Sequence, residues 1–303
     1  MLQFFLCLSA RKKVILPTGM ETEVSLAKQA IVLEGVSNAR ELGGYRIDGK
    51  TIARGLLLRS ANLSTAADSA VQALREKYRL AVIFDFRSSA EHDAAPNREV
   101  PGARQVWLPC LNKIVSGSAG NMSMSKNMGE GKMQMERIAD ALLANVDNPK
   151  MLQLAKNLYP MIVFDEEVQS HYAEMLDTLA ALPADRAALW HCTQGKDRAG
   201  WASAFVLAAL GADRDLIVKD FALSNVSYTP LIESVIAKGD LSGGLSAEQK
   251  ETIYALVGVS VKNFESTLDE IDRLYGSLQN YLKKALNCNE SKMQILRDKY
   301  LKR

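Results

Sequence analysis

The chain predicts an α/β fold, a central mostly parallel sheet flanked by helices. Three observations carry this expectation. Residues 80–84 and 187–190 are continuous apolar runs, Leu-Ala-Val-Ile-Phe and Ala-Ala-Leu-Trp; strands without alternation are covered on both faces, as in parallel sheets. Apolar residues at helical spacing recur in residues 66–78, 167–182 and 262–285. Residues 187–207 give strand, polar loop and buried helix in immediate succession, a unit from which layered α/β folds are built.

In chain order, Ile31-Val32-Leu33 opens the domain. Gly43-Gly44 marks a tight turn and Asp48-Gly49 a hairpin, leading to a strand over 55–60 that ends in Arg59-Ser60. Ala66, Ala67, Ala70, Val71 and Leu74 place a helix over 66–78. The 80–86 strand ends in charge, with Asp85 and Arg87 at its carboxyl end, where open α/β sheets bind ligands. Residues 104–109 form another strand, stopped by Pro109. From 112 to 168 the character changes. Residues 112–131 are rich in Gly, Ser, Asn and Met, and 133–145 and 150–159 predict two helices. This insertion is either a lid that shields a site, with Met122, Met124, Met128, Met133 and Met135 as adaptable apolar contacts, or a subdomain packed on the core. Residues 167–182 form an amphipathic helix with Tyr172, Met175, Leu176 and Leu179 on one face, and 216–224 form another helix. The 262–285 helix carries Phe264, Leu268, Ile271 and Leu278 at core spacing, with Gly276 as a break.

Composition narrows the class. The 303 residues suffice for one large domain or two; residues 31–303 are taken as a single domain and 1–30 as an N-terminal extension. A hydrophobic content of 48% with 24% charge is that of a globular protein. A net charge of +2 gives no electrostatic case for nucleic acid. No apolar run approaches the roughly 20 residues that span a bilayer, so no transmembrane segment is expected. Cys7, Cys110, Cys192 and Cys288 are scattered, which fits neither a disulfide framework nor a zinc site; no metal or cofactor is expected. Residues 1–10 are apolar and Arg11-Lys12-Lys13 follows, the reverse of a signal peptide. This stretch is either the tail of a longer signal or a disordered or packed extension. A reactive thiol prefers a reducing compartment, which favours the cytoplasm over secretion.

The chemistry lies in the loop His191-Cys192-Thr193-Gln194-Gly195-Lys196-Asp197-Arg198-Ala199-Gly200. A loop that opens a helix turns its N–H groups inward at the positive end of the dipole, which suits an oxyanion. Cys192 at its base sits where that field favours thiolate over thiol. Arg198, six positions on, is placed to grip two phosphate oxygens as a planar fork. A thiolate facing a cradled phosphate is an apparatus for phosphoryl transfer through a covalent intermediate. The competing reading is a buried structural cysteine; the adjacent charges of Lys196, Asp197 and Arg198 weigh against it.

This loop resembles that of the cysteine-dependent phosphatases, and its fuller form resembles the bacterial branch with His-Cys-x-x-Gly-Lys-Asp-Arg-Thr-Gly. That branch holds atypical, triple-specificity-like tyrosine phosphatases that also accept phosphoserine, phosphothreonine and phosphoinositides. Asn38-Ala39-Arg40-Glu41-Leu42-Gly43-Gly44-Tyr45, the Arg59-Ser60 strand end, and Asp85-Phe86-Arg87-Ser88 with Glu91 match further motifs of the branch, as do the C-terminal helices. Glu41 replaces the usual Asp. The resemblance runs from residue 31 to the end and implies a tyrosine-phosphatase-like fold with a helical lid at 112–168.

The expected reaction is hydrolysis of a phosphate monoester. Cys192 attacks phosphorus, and the N–H groups from Thr193 to Arg198 with the Arg198 guanidinium hold the equatorial oxygens. Thr193, Gln194, Gly195, Lys196, Ala199 and Gly200 are the substrate-binding positions. A general acid protonates the leaving oxygen; the resemblance assigns this to Asp197, with Asp85 as the rival. His191 tunes the loop, and Asp85, Arg87, Asn38 and Arg59 support it. The substrates expected are phosphotyrosine proteins, with phosphoserine or phosphothreonine, or phosphoinositides, for which Lys196 would supply a second cation; a solvated surface charge is its plainer role. Phosphate or sulfate should fill the loop. Ala199 departs from the branch, which has Thr or Ser there to stabilise the departing thiolate. Two other classes stay open: a catalytically weak module that binds phospholigands, and a sulfurtransferase.

Overall fold

The structure is a computed structural model that describes residues 12–15, 21–24, 28–112 and 139–303. The methionines at 122, 124, 128, 133 and 135, with the rest of residues 113–138 of the expected lid, lie outside the described residues.

Strands β1 (Lys12–Ile15) and β2 (Glu21–Val24) form an antiparallel pair of their own. The main sheet contains β3 (Arg40–Glu41), β6 (Leu57–Ser60), β7 (Leu80–Asp85), β8 (Arg104–Trp107) and β9 (Ala187–His191), in the order β3-β6-β9-β7-β8. The last four are mutually parallel, and only β3 runs against its neighbour. A row of register partners crosses the carboxyl end of the sheet: Ser60, His191, Asp85 and Trp107. The loop after His191 therefore emerges at the centre of the end where open parallel sheets bind ligands. A smaller sheet joins β4 (Arg46–Ile47), β5 (Lys50–Ile52) and β10 (Leu301–Lys302). Its hairpin turn is Asp48-Gly49, both left-handed at φ 47° and 77°, the geometry that matches strand twist.

Ten helices with named bounds surround the sheets among the described residues: α1 (Asp68–Gln72, continuing as a π-helical turn Ala73–Lys77), α2 (Ser89–Ala94), α3 (Pro149–Phe164), α4 (Glu166–Ala181), α5 (Asp197–Leu210), α6 (Arg214–Leu241), α7 (Ala247–Val257), α8 (Val261–Tyr275), α9 (Leu278–Lys284) and α10 (Glu290–Tyr300). The expected break at Gly276 separates α8 from α9, with Gly276 left-handed at φ 83°. The helix expected over 216–224 is much longer, running through Pro230 to Leu241, and α7 follows it.

Alternation along the central strands divides the core into two layers. Val82, Phe84, Ala188 and Trp190 face α4, α5 and the C-terminal helices; Leu80, Ile83, Ala187 and Leu189 face α1. Each fully buried large apolar side chain contributes roughly 1.5–3 kcal/mol. Helix α5 is buried along nearly its whole length, as its continuous apolar sequence predicts. Residues 149–164, counted with the insertion, pack into this core through Tyr159, Ile162 and Val163. Ala139, Leu142 and Val146 join a third cluster with Ile232, Val235 and Ile253.

Candidate active site

The loop 192–197 leaves β9 and enters α5, and its carbonyls are all engaged on the outside. The Cys192 carbonyl lies 3.2 Å from His191 Nδ1. Thr193 O accepts from the amide and side chain of Asn62 at 3.2 and 3.0 Å. Gln194 O accepts from Tyr228 Oη at 2.7 Å and Asn38 Nδ2 at 3.2 Å. Gly195 O takes Asn38 Nδ2 at 2.9 Å and Arg59 Nη2 at 2.8 Å, and Lys196 O takes Arg59 Nη2 at 3.1 Å. In a trans peptide the N–H points opposite the C=O. Five outward carbonyls thus turn the following amides toward the inside of the loop, at the amino end of a buried helix. Such a nest is an anion site.

Gly195 makes the curl attainable. Its φ is 67°, and a Cβ there would lie 2.2 Å from Ser60 O at the end of β6. No side chain fits both the torsion and the contact. Gly200 has a different reason: a Cβ would meet the Phe221 ring at 2.6 Å, so it lets α6 pack against α5.

Cys192 is buried at the base of the loop. Arg198, in the first turn of α5, is held by Glu91: Nη1 donates to Oε2 at 2.6 Å and Nη2 to Oε1 at 2.8 Å. Thr193 Oγ1 also donates to Glu91 Oε1. Glu91 is itself fixed by the capping box it forms with Ser88 at the start of α2. Burial acts to raise the Glu91 pKa, but the Arg198 charge and these hydrogen bonds outweigh it and hold the carboxyl well below the usual range.

Lys196 is neither a surface charge nor directed into the loop. It is buried, and its Nζ donates to the carbonyls of Leu256, Val257 and Gly258 at 2.8, 3.2 and 2.7 Å, closing the carboxyl end of α7. All three ammonium protons have acceptors there. Asp197, at the first position of α5, takes a hydrogen bond from Tyr159 Oη at 3.2 Å, with Lys196 Nζ 3.7 Å from its other oxygen. Ala199 and Gly200 are buried within α5.

The rival acid, Asp85, is occupied. Arg87 grips it through Nε and Nη2 at 2.9–3.0 and 2.6 Å, and Asn97 Nδ2 adds a bond at 3.0 Å. Arg87 continues to Ala95 O, away from the loop. His191 Nε2 lies 3.0 Å from Asn97 Nδ2. An amide nitrogen donates and a carbonyl accepts, so the imidazole is neutral with its proton on Nδ1, toward Cys192 O. Burial keeps its pKa below the ordinary value.

Beneath the loop lies a charge cluster that sequence reasoning missed in part. Asp220 of α6 takes Arg59 Nη1 at 3.1 Å and Tyr45 Oη at 3.0 Å, and lies 3.7 Å from Arg40 Nε. Arg40 also donates to Asn38 Oδ1 at 2.8 Å. Asn38 and Arg59 therefore act on the loop directly. Asp220, Asn62, Asn97, Tyr159 and Tyr228 went unnoticed; only Asp220, a charge inside an apolar helical run, carried a sequence signal.

Similarity to known proteins agrees with this geometry. The family model described as the tyrosine phosphatase family matches residues 31–302. A Cupriavidus necator protein assigned by name to the tyrosine-protein phosphatases is 26% identical over 291 residues, 95% of this chain and 94% of the relative. The triple specificity protein phosphatase PtpB of Mycobacterium tuberculosis is 27% identical over 266 residues, 84% of this chain and 92% of PtpB. With a parallel sheet that delivers a cysteine-led anion nest at its carboxyl end, and a family match spanning the described domain, the chain belongs to the tyrosine phosphatase family and is a phosphatase enzyme.

Proposed function

We propose that the enzyme hydrolyses phosphate monoesters of proteins in two steps through Cys192. In the first, Cys192 Sγ forms a bond to phosphorus while the ester P–O bond breaks, and its electron pair goes to the leaving oxygen, which takes a proton from Asp197. In the second, water attacks the cysteinyl-phosphate, the S–P pair returns to sulfur, and the water proton goes to Asp197. The inward amides and the Arg198 N–H groups that Glu91 and Phe86 O leave open receive the equatorial oxygens, where transition-state charge sits. The observation that carries this reading is the set of five consecutive carbonyls held outward from Cys192 to Lys196.

Phosphotyrosine is the first substrate assigned, with phosphoserine and phosphothreonine behind it. Phosphoinositides rank lower, because the cation expected to meet a second phosphate, Lys196, is bound to three carbonyls.

The test is phosphate release between about pH 5 and pH 7.5, comparing wild type with Cys192→Ser on phosphotyrosine peptide, phosphoserine peptide and phosphoinositides. Release by wild type alone, greatest on phosphotyrosine, supports the reading. Release that survives in Cys192→Ser overturns the cysteine mechanism. Binding of the peptides without any release assigns the fold to a phospholigand module.

A further inference from the structure

The two carboxyl oxygens of Asp197 face different neighbours. Oδ1 accepts from Tyr159 Oη at 3.2 Å, and Oδ2 lies 3.7 Å from Lys196 Nζ. Tyr159 reaches the site from α3. Its buried ring stands edge-on to Trp201, Phe221 and Phe264, with centroids 6.2, 5.4 and 6.4 Å away. Its oxygen also accepts the Ser260 amide at 3.2 Å. An amide N–H can only donate, so the phenol's own proton is directed to Asp197 Oδ1. Lys196 makes its short hydrogen bonds to the carbonyls of residues 256–258 and meets Oδ2 only as an ion pair at 3.7 Å. Cys192 and Arg198 on the same loop and helix, Tyr228 from α6, and Arg40 and Arg59 beneath the loop are further titratable or charged groups near this end of α5.

We propose that Tyr159 is the positioning residue of the general acid: it fixes the Asp197 carboxyl and occupies Oδ1, so that the proton given to the leaving oxygen is carried on Oδ2. This rests on the reading of Asp197 as the acid. When the P–O bond breaks and its electron pair moves to the leaving oxygen, that oxygen takes the Oδ2 proton. When water attacks the cysteinyl-phosphate, Oδ2 takes the proton back. A side chain held only by its own rotamer preferences would sample poses in which neither transfer is aligned, and alignment at this scale governs rate. Tyr159 touches Asp197 and not the reacting atoms.

The experiment uses the full chain with Tyr159→Phe, which keeps the ring and its packing and removes the phenol oxygen. kcat/KM is measured on 4-nitrophenyl phosphate and on phenyl phosphate. The first leaving group departs without help, and the second needs the acid. The expected result is a loss of roughly tenfold on phenyl phosphate and at most about twofold on 4-nitrophenyl phosphate, the scale of one hydrogen bond. The ratio between substrates does not depend on how much enzyme is folded, so it reads through any folding loss. Equal losses on both substrates reduce Tyr159 to a packing residue and overturn the proposal. Asp197→Asn is run in parallel. If it shows a leaving-group-dependent loss and Tyr159→Phe does not, only the role of Tyr159 fails. If Asp197→Asn shows none, the acid lies elsewhere and both readings fall.

Discussion

Two arginines are buried against the same loop, and they are held in opposite ways. Arg59 is enclosed beneath it, shares the single carboxylate of Asp220 with Arg40, and spends its remaining fork on the carbonyls of Gly195 and Lys196. Burial and then the neighbouring Arg40 push its pKa down to about 9. Arg198 has a carboxylate to itself. Burial opposes its charge, but the two short bonds to Glu91 hold its pKa well above the ordinary value. One guanidinium is used up as scaffold, and the other is a secure cation, paired to Glu91 with a further bond from Nη1 to Phe86 O at 3.2 Å. The contrast separates shape from charge. The Asp220 flank fixes where the loop's amides point, and the Glu91 flank fixes the cation that the proposed reaction sets against the phosphate.

The largest effect on stability should come from the Asp220 flank. Asp220→Asn keeps the side-chain shape but leaves two buried guanidiniums without a counter-ion, and breaking a buried ion pair from one side costs roughly 3–5 kcal/mol. Urea unfolding should show that loss as a lower midpoint with an unchanged slope. A midpoint within about 0.5 kcal/mol of wild type would mean that the cluster does not hold the fold.

Glu91→Gln should invert the balance between stability and activity. It costs about 1–3 kcal/mol of stability, since one charged partner of a mostly buried pair is lost while the side-chain volume stays. Its larger effect is on catalysis, because Arg198 loses the bidentate grip that aims it. Misplacement of such a group lowers kcat/KM by roughly tenfold to a hundredfold. Equal fractional effects of both variants on activity and stability would erase the distinction between the two flanks.

Acid should loosen the Glu91 flank. The Glu91 carboxyl titrates in the fold below its unfolded value near 4.5, so its contribution is complete above that pH and is lost as pH falls beneath it. His191 adds to this from higher up. Burial lowers its pKa from 6.5, so below that pH the unfolded chain takes up a proton that the folded chain resists, and stability again falls with pH. Unfolding free energy should therefore decline from near pH 6.5 downward and steepen below about 4.5. Glu91→Gln should soften the steeper part, which Asp85, also held below its ordinary value, shares, and leave the His191 part. A flat profile across this window would contradict both assignments.

The legible parts of the molecule are those where function and local pattern coincide. Residues 187–207 announce strand, loop and helix because an apolar strand, one glycine and an apolar helix stand in unbroken order. The support around the loop was less visible, since its contacts span long separations: Asn38 reaches residue 195, Arg59 reaches Asp220, and Tyr159 reaches Asp197. Nothing near Tyr228 or Asn97 distinguishes them from ordinary polar residues. Helix α6 was expected to end before its polar stretch and Pro230. It continues because those polar groups have targets, Ser224 on Arg40, Asn225 on Val259 and Tyr228 on the loop. Lys196 misled for a related reason. Three adjacent charges suggest an open site, whereas burial gave this ammonium three carbonyls at the end of α7.

The smallest effect bears on a single missing hydroxyl. Ala199 is buried, and its carbonyl accepts from Trp190 Nε1 at 3.2 Å and Ser203 Oγ at 3.0 Å; its side chain is a methyl group with no donor to offer. Thr193 cannot substitute, because its hydroxyl proton goes to Glu91. In the proposed second step sulfur leaves as a thiolate, with no hydroxyl at residue 199 to receive the charge. The cysteinyl-phosphate should therefore accumulate, and rapid-quench kinetics should show a burst of the leaving alcohol or phenol ahead of phosphate. Ala199→Ser adds one oxygen where the helix turns toward the nucleophile. If that hydroxyl reaches sulfur it is worth about 1 kcal/mol, a fivefold faster second step, and the burst shrinks accordingly. Because the site is fully packed, overpacking could lower stability by about 1–3 kcal/mol, so unfolding is measured alongside. A wild-type enzyme without a burst would place the slow step before the intermediate and make residue 199 irrelevant to turnover.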